Sequence, residues 1–320
     1  MTDIDLIIPC YNTHSTIKRV LCSIEMQTIK DKIQIILVDD NSNEGYDYLI
    51  PLFEGLNIKI VKLEKNSGPG TARRKGMMAG TSKYIMFMDS DDTLTNAFAV
   101  KRMYDFIEKG GYDVIHSNFL EELENGDFTK HVRDTIWVFG KMYSREFVEK
   151  NAIYFNDTRA NEDTGFNAVC FHTGNVGYLE DNTYIWHFNP NSITRRDNGI
   201  YRFTGIEGYL QNMIWAFQEI KRIGTTKEVQ QGFLCDIFIA TYFILLELIR
   251  WNDKRVDYDL FIKWVQDFYK LYAKEDIDKK IFLSQYEIAV GYRQKILSIP
   301  LELTFSEYEN VIKGTMKLAF

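Results

Sequence analysis

Cysteine is scarce and dispersed in this chain of 320 residues. Cys10, Cys22, Cys170 and Cys235 stand far apart, and no Cys-x-x-Cys pair occurs. That spacing argues against a structural zinc site. It points to reduced thiols in a cytoplasmic setting, with Cys10 and Cys22 as small buried hydrophobes. A basic excess is also missing: 38 Lys and Arg face 45 Asp and Glu, for a net charge of -7. A general nucleic-acid binder would show the opposite balance. The longest apolar run, Ile237 to Leu246, is bracketed by Asp236 and Glu247. It is short of the ~20 residues that span a bilayer and reads as a buried helix, with peripheral contact at the inner membrane face as the lesser alternative. The start, Met1-Thr2-Asp3-Ile4-Asp5, has neither a basic nor an apolar stretch, so no signal peptide is expected. Internal repeats, low-complexity segments and a Walker-type phosphate loop are absent.

What is present suits a globular protein. Hydrophobic residues make up 45% and charged residues 26%, enough for one large domain or two ordinary ones. The first half alternates two periodicities. Residues 5–9 form an apolar strand, and Ser15 to Gln27 places Ile17, Val20, Leu21 and Ile24 on one helix face. Residues 33–38 are almost continuously apolar, as a strand buried on both faces requires. Residues 57–63 alternate as a third strand, Gly68-Pro69-Gly70 opens a helix to about Ala79, and 84–88 is a fourth strand. This order predicts an α/β fold with a mostly parallel central sheet, in which ligands bind beyond the C-terminal strand ends.

Polar residues gather at those ends: Tyr11 and Asn12, then Asp39 to Ser42, then Asn66, then Asp89, Ser90, Asp91 and Asp92. The last group brings three carboxylates into four positions. Such groups repel one another unless a cation lies among them, and their hard oxygens suit Mg2+ or Mn2+. The plainer alternative is an acidic helix start, with Asp91 or Asp92 as a cap.

Taken together, these segments resemble the family 2 glycosyltransferases, inverting enzymes of GT-A fold that use nucleotide-sugar donors. The resemblance covers residues 4–194. It rests on Leu6-Ile7-Ile8-Pro9-Cys10-Tyr11-Asn12, Ile36 to Ser42, Asn66 to Arg73 and Phe87 to Asp92. Gly140-Lys141-Met142-Tyr143, Asn161-Glu162-Asp163 and Asn191-Ser192-Ile193-Thr194 follow in the same order.

The resemblance implies that Pro9, Tyr11 and Asn12 border the nucleotide base and that Asp39 accepts from a uracil imide. It implies that Asn66 and Arg73 serve the base or diphosphate, and that Asp89-Ser90-Asp91 is a DXD motif. Asp89 and Ser90 would then sit on the ribose side, with Asp91 as a ligand to Mn2+ or Mg2+. Asp163 matches the catalytic base, with Glu162 as runner-up. The chain departs from the pattern at Trp186-His187-Phe188-Asn189, where relatives carry a histidine at the Asn189 position. His187, two residues away and on the same strand face, could substitute as a metal ligand, with a structural histidine as the plainer alternative. Arg195 and Arg196 follow as a diphosphate clamp.

The implied reaction moves a hexose or N-acetylhexosamine from a UDP-sugar to a hydroxyl of a glycan, wall polymer or lipid-linked acceptor. A non-catalytic nucleotide-binding relative or an interaction module is the alternative. A nucleotidyltransferase or DNA-base glycosyltransferase fits less well. A boundary is expected near residue 200, giving a GT-A domain over 1–200 and a helical region over 201–320 for acceptor binding or homo-oligomer formation. Helices are expected over 208–222, 231–251, 258–274 and 275–297, and a capping box at Ser306 to Glu309 before a last helix.

Overall fold

A computed structural model describes residues 2–158, 160–195, 200–272, 287, 304–314 and 316–317. The chain divides into two compact units, Met1–Asn189 and Pro190–Phe320.

The first unit is built on a nine-stranded sheet of order β3-β2-β1-β4-β8-β6-β9-β5, with β7 paired to β6. Strands β1 (Ile4–Cys10), β2 (Ile33–Asp39), β3 (Asn57–Lys62) and β4 (Tyr84–Phe87) are mutually parallel. The apolar runs in β1, β2 and β4 are buried on both faces apart from half-buried Pro9, which is why they read as continuous rather than alternating. Beyond β4 the sheet becomes mixed. β8 (Lys141–Ser144) runs antiparallel to both β4 and β6 (Val114–Glu122), while β9 (Val176–Trp186) is parallel to β6. Short strand β5 (Thr93–Leu94) pairs with β9 at one edge, and β7 (Phe128–His131) pairs with the end of β6.

Helices α1 (Ile17–Glu25), α2 (Pro69–Ala79), α3 (Ala99–Gly110), α4 (Arg145–Lys150) and α5 (Glu162–Thr173) cover the sheet. In α1 the buried residues are Ile17, Val20, Leu21 and Ile24, as the spacing predicts. Cys22, expected inside, is exposed. It sits one position past Leu21, and a 100° step per residue carries it off the apolar stripe.

A buried ion pair ties α4 to the first strand. Arg145 donates from Nη2 to Asp5 Oδ2 at 2.6 Å, from Nε to the Ser82 carbonyl at 2.6 Å and from Nη1 to the Met77 carbonyl at 3.0 Å. Asp5 also accepts from the Ser82 N–H and hydroxyl, at 2.9 and 2.8 Å. Gly80 is needed beside it, because a Cβ there would lie 2.1 Å from Asp5 Oδ2.

The second unit is helical: α6 (Tyr201–Thr204), α7 (Ile206–Ile223), α8 (Lys227–Trp251), α9 (Tyr258–Tyr272) and α10 (Phe305–Ile312). The helix expected over 275–297 lies outside the described residues, apart from Glu287. α8 is longer than its apolar run suggested and, by length and composition, could cross a membrane. Yet 72% of its most apolar stretch is buried within the protein, as in a core helix. Tyr308 donates to Thr241 Oγ1 at 2.7 Å, pinning α10 to α8. The capping box of α10 is formed by Thr304 and Glu307, not by Ser306 and Glu309. Thr304 has the extended backbone that an N-cap needs, and the helix starts one residue later.

Replacing Arg145 by Ala strands a buried carboxylate. Urea unfolding should show a loss of about 3–5 kcal/mol. A loss below about 1 kcal/mol would mean that Asp5 is satisfied by Ser82 alone.

Candidate active site

The C-terminal ends of β1, β2 and β4 and the starts of α2 and α5 meet at one place. At the end of β2, Asp39 is buried and its Oδ1 accepts from the Ser42 N–H at 2.8 Å. Its Oδ2 has no hydrogen-bond partner among the described residues. Ser42 in turn accepts at Oγ from the Asn12 N–H at 2.9 Å, and Asn12 Oδ1 accepts from the Asn43 N–H at 2.9 Å. Asn12 holds a left-handed backbone (φ 53°), a conformation that asparagine tolerates. The turn after β1 is thereby locked to the turn after β2. Tyr11 between them is 50% exposed, leaving its ring open to a ligand. Pro9 is half-buried just below.

Asp40 organises the next loop. Its two oxygens accept from the N–H groups of Ser67 and Gly68, at 2.7 and 2.8 Å. Asn66 reaches back to the Asp40 carbonyl at 3.5 Å. Gly68 (φ 90°) makes the turn and Pro69 starts α2. Gly70 is required by close approach, since a Cβ there would lie 2.6 Å from Glu162 Cγ.

One turn on, Arg73 is buried between two carboxylates. Its Nη2 donates to Asp89 Oδ1 at 2.8 Å and its Nη1 to Glu162 Oε1 at 2.7 Å. Arg73 was expected to face the base or diphosphate, but its guanidinium is taken by these acids. Glu162, the runner-up base, is the arginine's buried counter-ion instead. Only Arg73 Nε, also buried, is left without a partner among the described residues.

The loop after β4 is held from several sides. Thr16 Oγ1 donates to the Ser90 carbonyl at 2.8 Å, and Arg19 Nη2 donates to the Asp91 carbonyl. The Asp89 N–H donates to the Tyr184 hydroxyl at 3.0 Å, which donates on to Asp92 Oδ2 at 2.8 Å. Asp92 Oδ1 accepts from the His187 N–H at 2.9 Å. Asp92 is thus a fully buried anchor for the end of β9. Burial, then Asp89 and Asp91, push its carboxyl well above the usual range. Burial and the Asp89 charge also raise Asp91, against a hydrogen bond from Asn189 that lowers it.

His187 does not match the expected ligand role. Its Nε2 meets Thr93 Oγ1 at 2.8 Å and its Nδ1 meets Glu122 Oε2 at 2.7 Å, so both ring nitrogens are engaged. The residue that reaches Asp91 is Asn189, whose Nδ2 donates to Oδ2 at 2.8 Å. β9 ends at Trp186, so strand alternation no longer governs which side these residues face. Arg195 falls in the second unit, where its N–H donates to the Ser192 carbonyl at 3.1 Å. Arg196 lies outside the described residues.

Asp163 follows Glu162 at the head of α5, and its Oδ1 accepts from the Thr164 N–H at 2.8 Å. Burial, and then the Glu162 charge, lift its carboxyl to about 7. The Arg73 charge opposes this shift without cancelling it. The result is a carboxylate poised to exchange a proton near neutrality.

A divalent cation fits the charge distribution here. Asp91 and Asp89 adjoin, and burial plus mutual repulsion already raise Asp91. Among the described residues, however, no group of three His, Cys, Asp or Glu side chains forms a metal cage. The donor set therefore suits an ion that takes its remaining ligands from a diphosphate and water. Sequence reasoning missed the supporting contacts of Thr16, Arg19 and Tyr184. Arg19 lies on the polar face of α1, where nothing distinguishes it from a solvated side chain.

A cluster of carboxylates at the strand ends of a mixed, mostly parallel α/β sheet, with helices following, defines a GT-A-like type of fold. The Glycosyl transferase family 2 model matches residues 5–180, and the chain belongs to that family. It is 29% identical over 217 residues to the glycosyltransferase EpsJ of Bacillus subtilis (strain 168), covering 60% of this chain and 62% of that protein. It is 26% identical over 204 residues to the poly(ribitol-phosphate) beta-N-acetylglucosaminyltransferase TarS of Staphylococcus aureus (strain Mu50 / ATCC 700699), covering 58% of this chain and 35% of TarS. The chain thus spans less than two thirds of either curated relative. The structure of S. aureus TarS 1-349 with UDP-GlcNAc superposes with a TM-score of 0.73 at 18% identity, covering 98% of this chain and 91% of that one. The mannosyltransferase PcManGT of Pyrobaculum calidifontis, with GDP-Man and Mn2+, gives a TM-score of 0.53 at 12% identity, covering 92% and 87%.

Arg73→Lys tests the bridge. A lysine keeps the charge but cannot fork to both acids. Turnover should fall about 10- to 100-fold while the melting temperature changes by a few degrees at most. Unchanged turnover would show that the site does not need the bridge.

Proposed function

We propose that this chain is an inverting glycosyltransferase that moves a hexose or N-acetylhexosamine from a UDP-sugar to a hydroxyl of a glycan or wall polymer. The observation that carries the reading is Asp163. It is a carboxyl lifted to about 7, next in sequence to the Glu162 that Arg73 ties to Asp89. Family membership and the UDP-GlcNAc complex of TarS support the donor class. The name of TarS supports a wall-polymer acceptor.

In this mechanism Tyr11 packs on the base, and Asp39 Oδ2 accepts from the imide N–H of uracil. Asp89 lies toward the ribose and Asp91 toward the diphosphate. Bound Mn2+ or Mg2+, held by Asp91 with Asp89 beside it, would neutralise the departing diphosphate. Asp163 takes the proton of the acceptor hydroxyl. The hydroxyl oxygen bonds to the anomeric carbon as the bond to the phosphate oxygen breaks on the opposite face, and the configuration inverts. Arg73 holds Glu162 and Asp89 in place, and so fixes the base relative to the donor. The second unit supplies acceptor contacts or a homo-oligomer interface.

Two measurements check this. A UDP-release screen against UDP-glucose, UDP-galactose, UDP-GlcNAc and UDP-GalNAc should find one donor hydrolysed with Mn2+, and not with chelator or in Asp91→Ala. Silence from every donor, together with no UDP binding by calorimetry, would reject the reading. Activity should also rise with pH up to about 7 and level off above it, because the base must be deprotonated to act. Asp163→Asn should cost about 10²- to 10⁴-fold in turnover and leave UDP affinity intact. A flat pH profile from 5 to 8 in the wild type would remove Asp163 from the role.

A further inference from the structure

On the base's side of the sheet lies a cluster that this mechanism does not use. His116 and Lys141 are register partners on β6 and β8. Lys141 is buried, and its Nζ donates to the Trp137 carbonyl, with Asp134 Oδ1 at 3.9 Å. Asn167, one turn after Asp163 on α5, donates to the carbonyls of Ile136 and Trp137 at 2.7 and 3.0 Å. The segment 133–137 is therefore clamped against the base helix. Arg133 at its start holds a left-handed backbone (φ 56°), uncommon for an arginine. Its guanidinium lies over the Tyr178 ring at 4.1 Å and has no carboxylate partner among the described residues.

Beneath it, Asn118 is fully buried. Its Oδ1 accepts from the Arg133 N–H at 3.3 Å and the Tyr178 hydroxyl at 2.7 Å. An N–H can only donate, so this fixes the orientation of the amide. Asn118 Nδ2 then has no hydrogen-bond partner among the described residues. Across the ladder its register partner Asn182 leaves a buried side-chain oxygen unpartnered as well. A buried unmet donor is costly, so such groups call for a ligand. Two cations stand here against one acid, Asp134: burial, Lys141 and Arg133 hold His116 neutral, with its titration pushed down to about 4, while Asp134 opposes the shift.

We infer that Arg133, Asn118 and Tyr178, backed by Lys141, form an anion subsite that holds a phosphate of the acceptor beside the base. A guanidinium with no acid partner and an unmet amide donor suit phosphate oxygens, and the unmet Asn182 oxygen suits a hydroxyl on the same ligand. The subsite rests on the reading of Asp163 as the acceptor-side base. Two sources share this chemistry: the phosphodiester of an alditol-phosphate polymer, and the diphosphate of a lipid-linked saccharide.

Calorimetry on the full chain separates them. The titrants are a soluble alditol-phosphate oligomer, a short-chain prenyl-diphosphate saccharide and a neutral glucan oligomer, each with and without UDP. At least one phosphate ligand should bind, and the neutral glucan should not bind as tightly. Arg133→Ala, an exposed change, should weaken that phosphate ligand about tenfold and leave UDP affinity unaltered. Whichever phosphate ligand loses affinity identifies the source. Equal binding of the neutral oligomer, no binding of either phosphate ligand, or no effect of Arg133→Ala would overturn the subsite. The oligomer titrations decide it even if UDP does not bind, an outcome that would instead defeat the donor-site reading.

Discussion

The site depends on one buried guanidinium. Taking a charged group out of water costs several kcal/mol, and Arg73 recovers this only because two carboxylates from distant segments meet it. Asp89 comes from the end of β4 and Glu162 from the head of α5, so the same cation ties these two segments together. The upstream details serve this contact. Asp40 fastens the Ser67–Gly68 loop, Pro69 starts the helix, and Gly70 lets α2 approach Glu162 closely enough for Arg73 to reach it.

Arg73 is also insufficient by design of charge. Asp89, Asp91, Asp92, Glu162 and Asp163 crowd together, and the neighbouring Arg19 is bonded to a backbone carbonyl rather than to an acid. The surplus appears as upward shifts at Asp91, Asp92 and Asp163, each led by burial. The three acids meet it differently. Asp92 is hydrogen-bonded by Tyr184 and His187 and acts as a structural anchor. Asp91 stands where a cation would relieve it. Asp163 is left near neutrality, able to carry a proton either way. Three similar residues thus come to different uses through their surroundings alone.

The parallel strands and the crevice at their ends were readable because each arises from local sequence. An apolar run buried on both faces, followed at once by polar residues, is a pattern within about ten positions. α3 was overlooked, although Val100, Met103 and Ile107 carry helical spacing. The roles of Arg73 and Glu162 were not readable, because their pairing joins residues 89 apart in the chain. His187 shows another limit. Its assignment assumed that strand alternation continued, whereas β9 ends one residue earlier and the chain turns His187 toward Glu122 and Asn189 toward Asp91.

The two parts of the sheet are built by different means. One uses the ends of parallel strands β1, β2 and β4, so its groups follow directly from short motifs. The other uses antiparallel β8 and the bulged β6–β9 ladder, which bring Lys141, Asn118 and Tyr178 together from three separate segments. The two parts remain coupled: β4 pairs with β8, Tyr184 of β9 holds the Asp89 N–H and Asp92, and Arg73 joins Asp89 to Glu162.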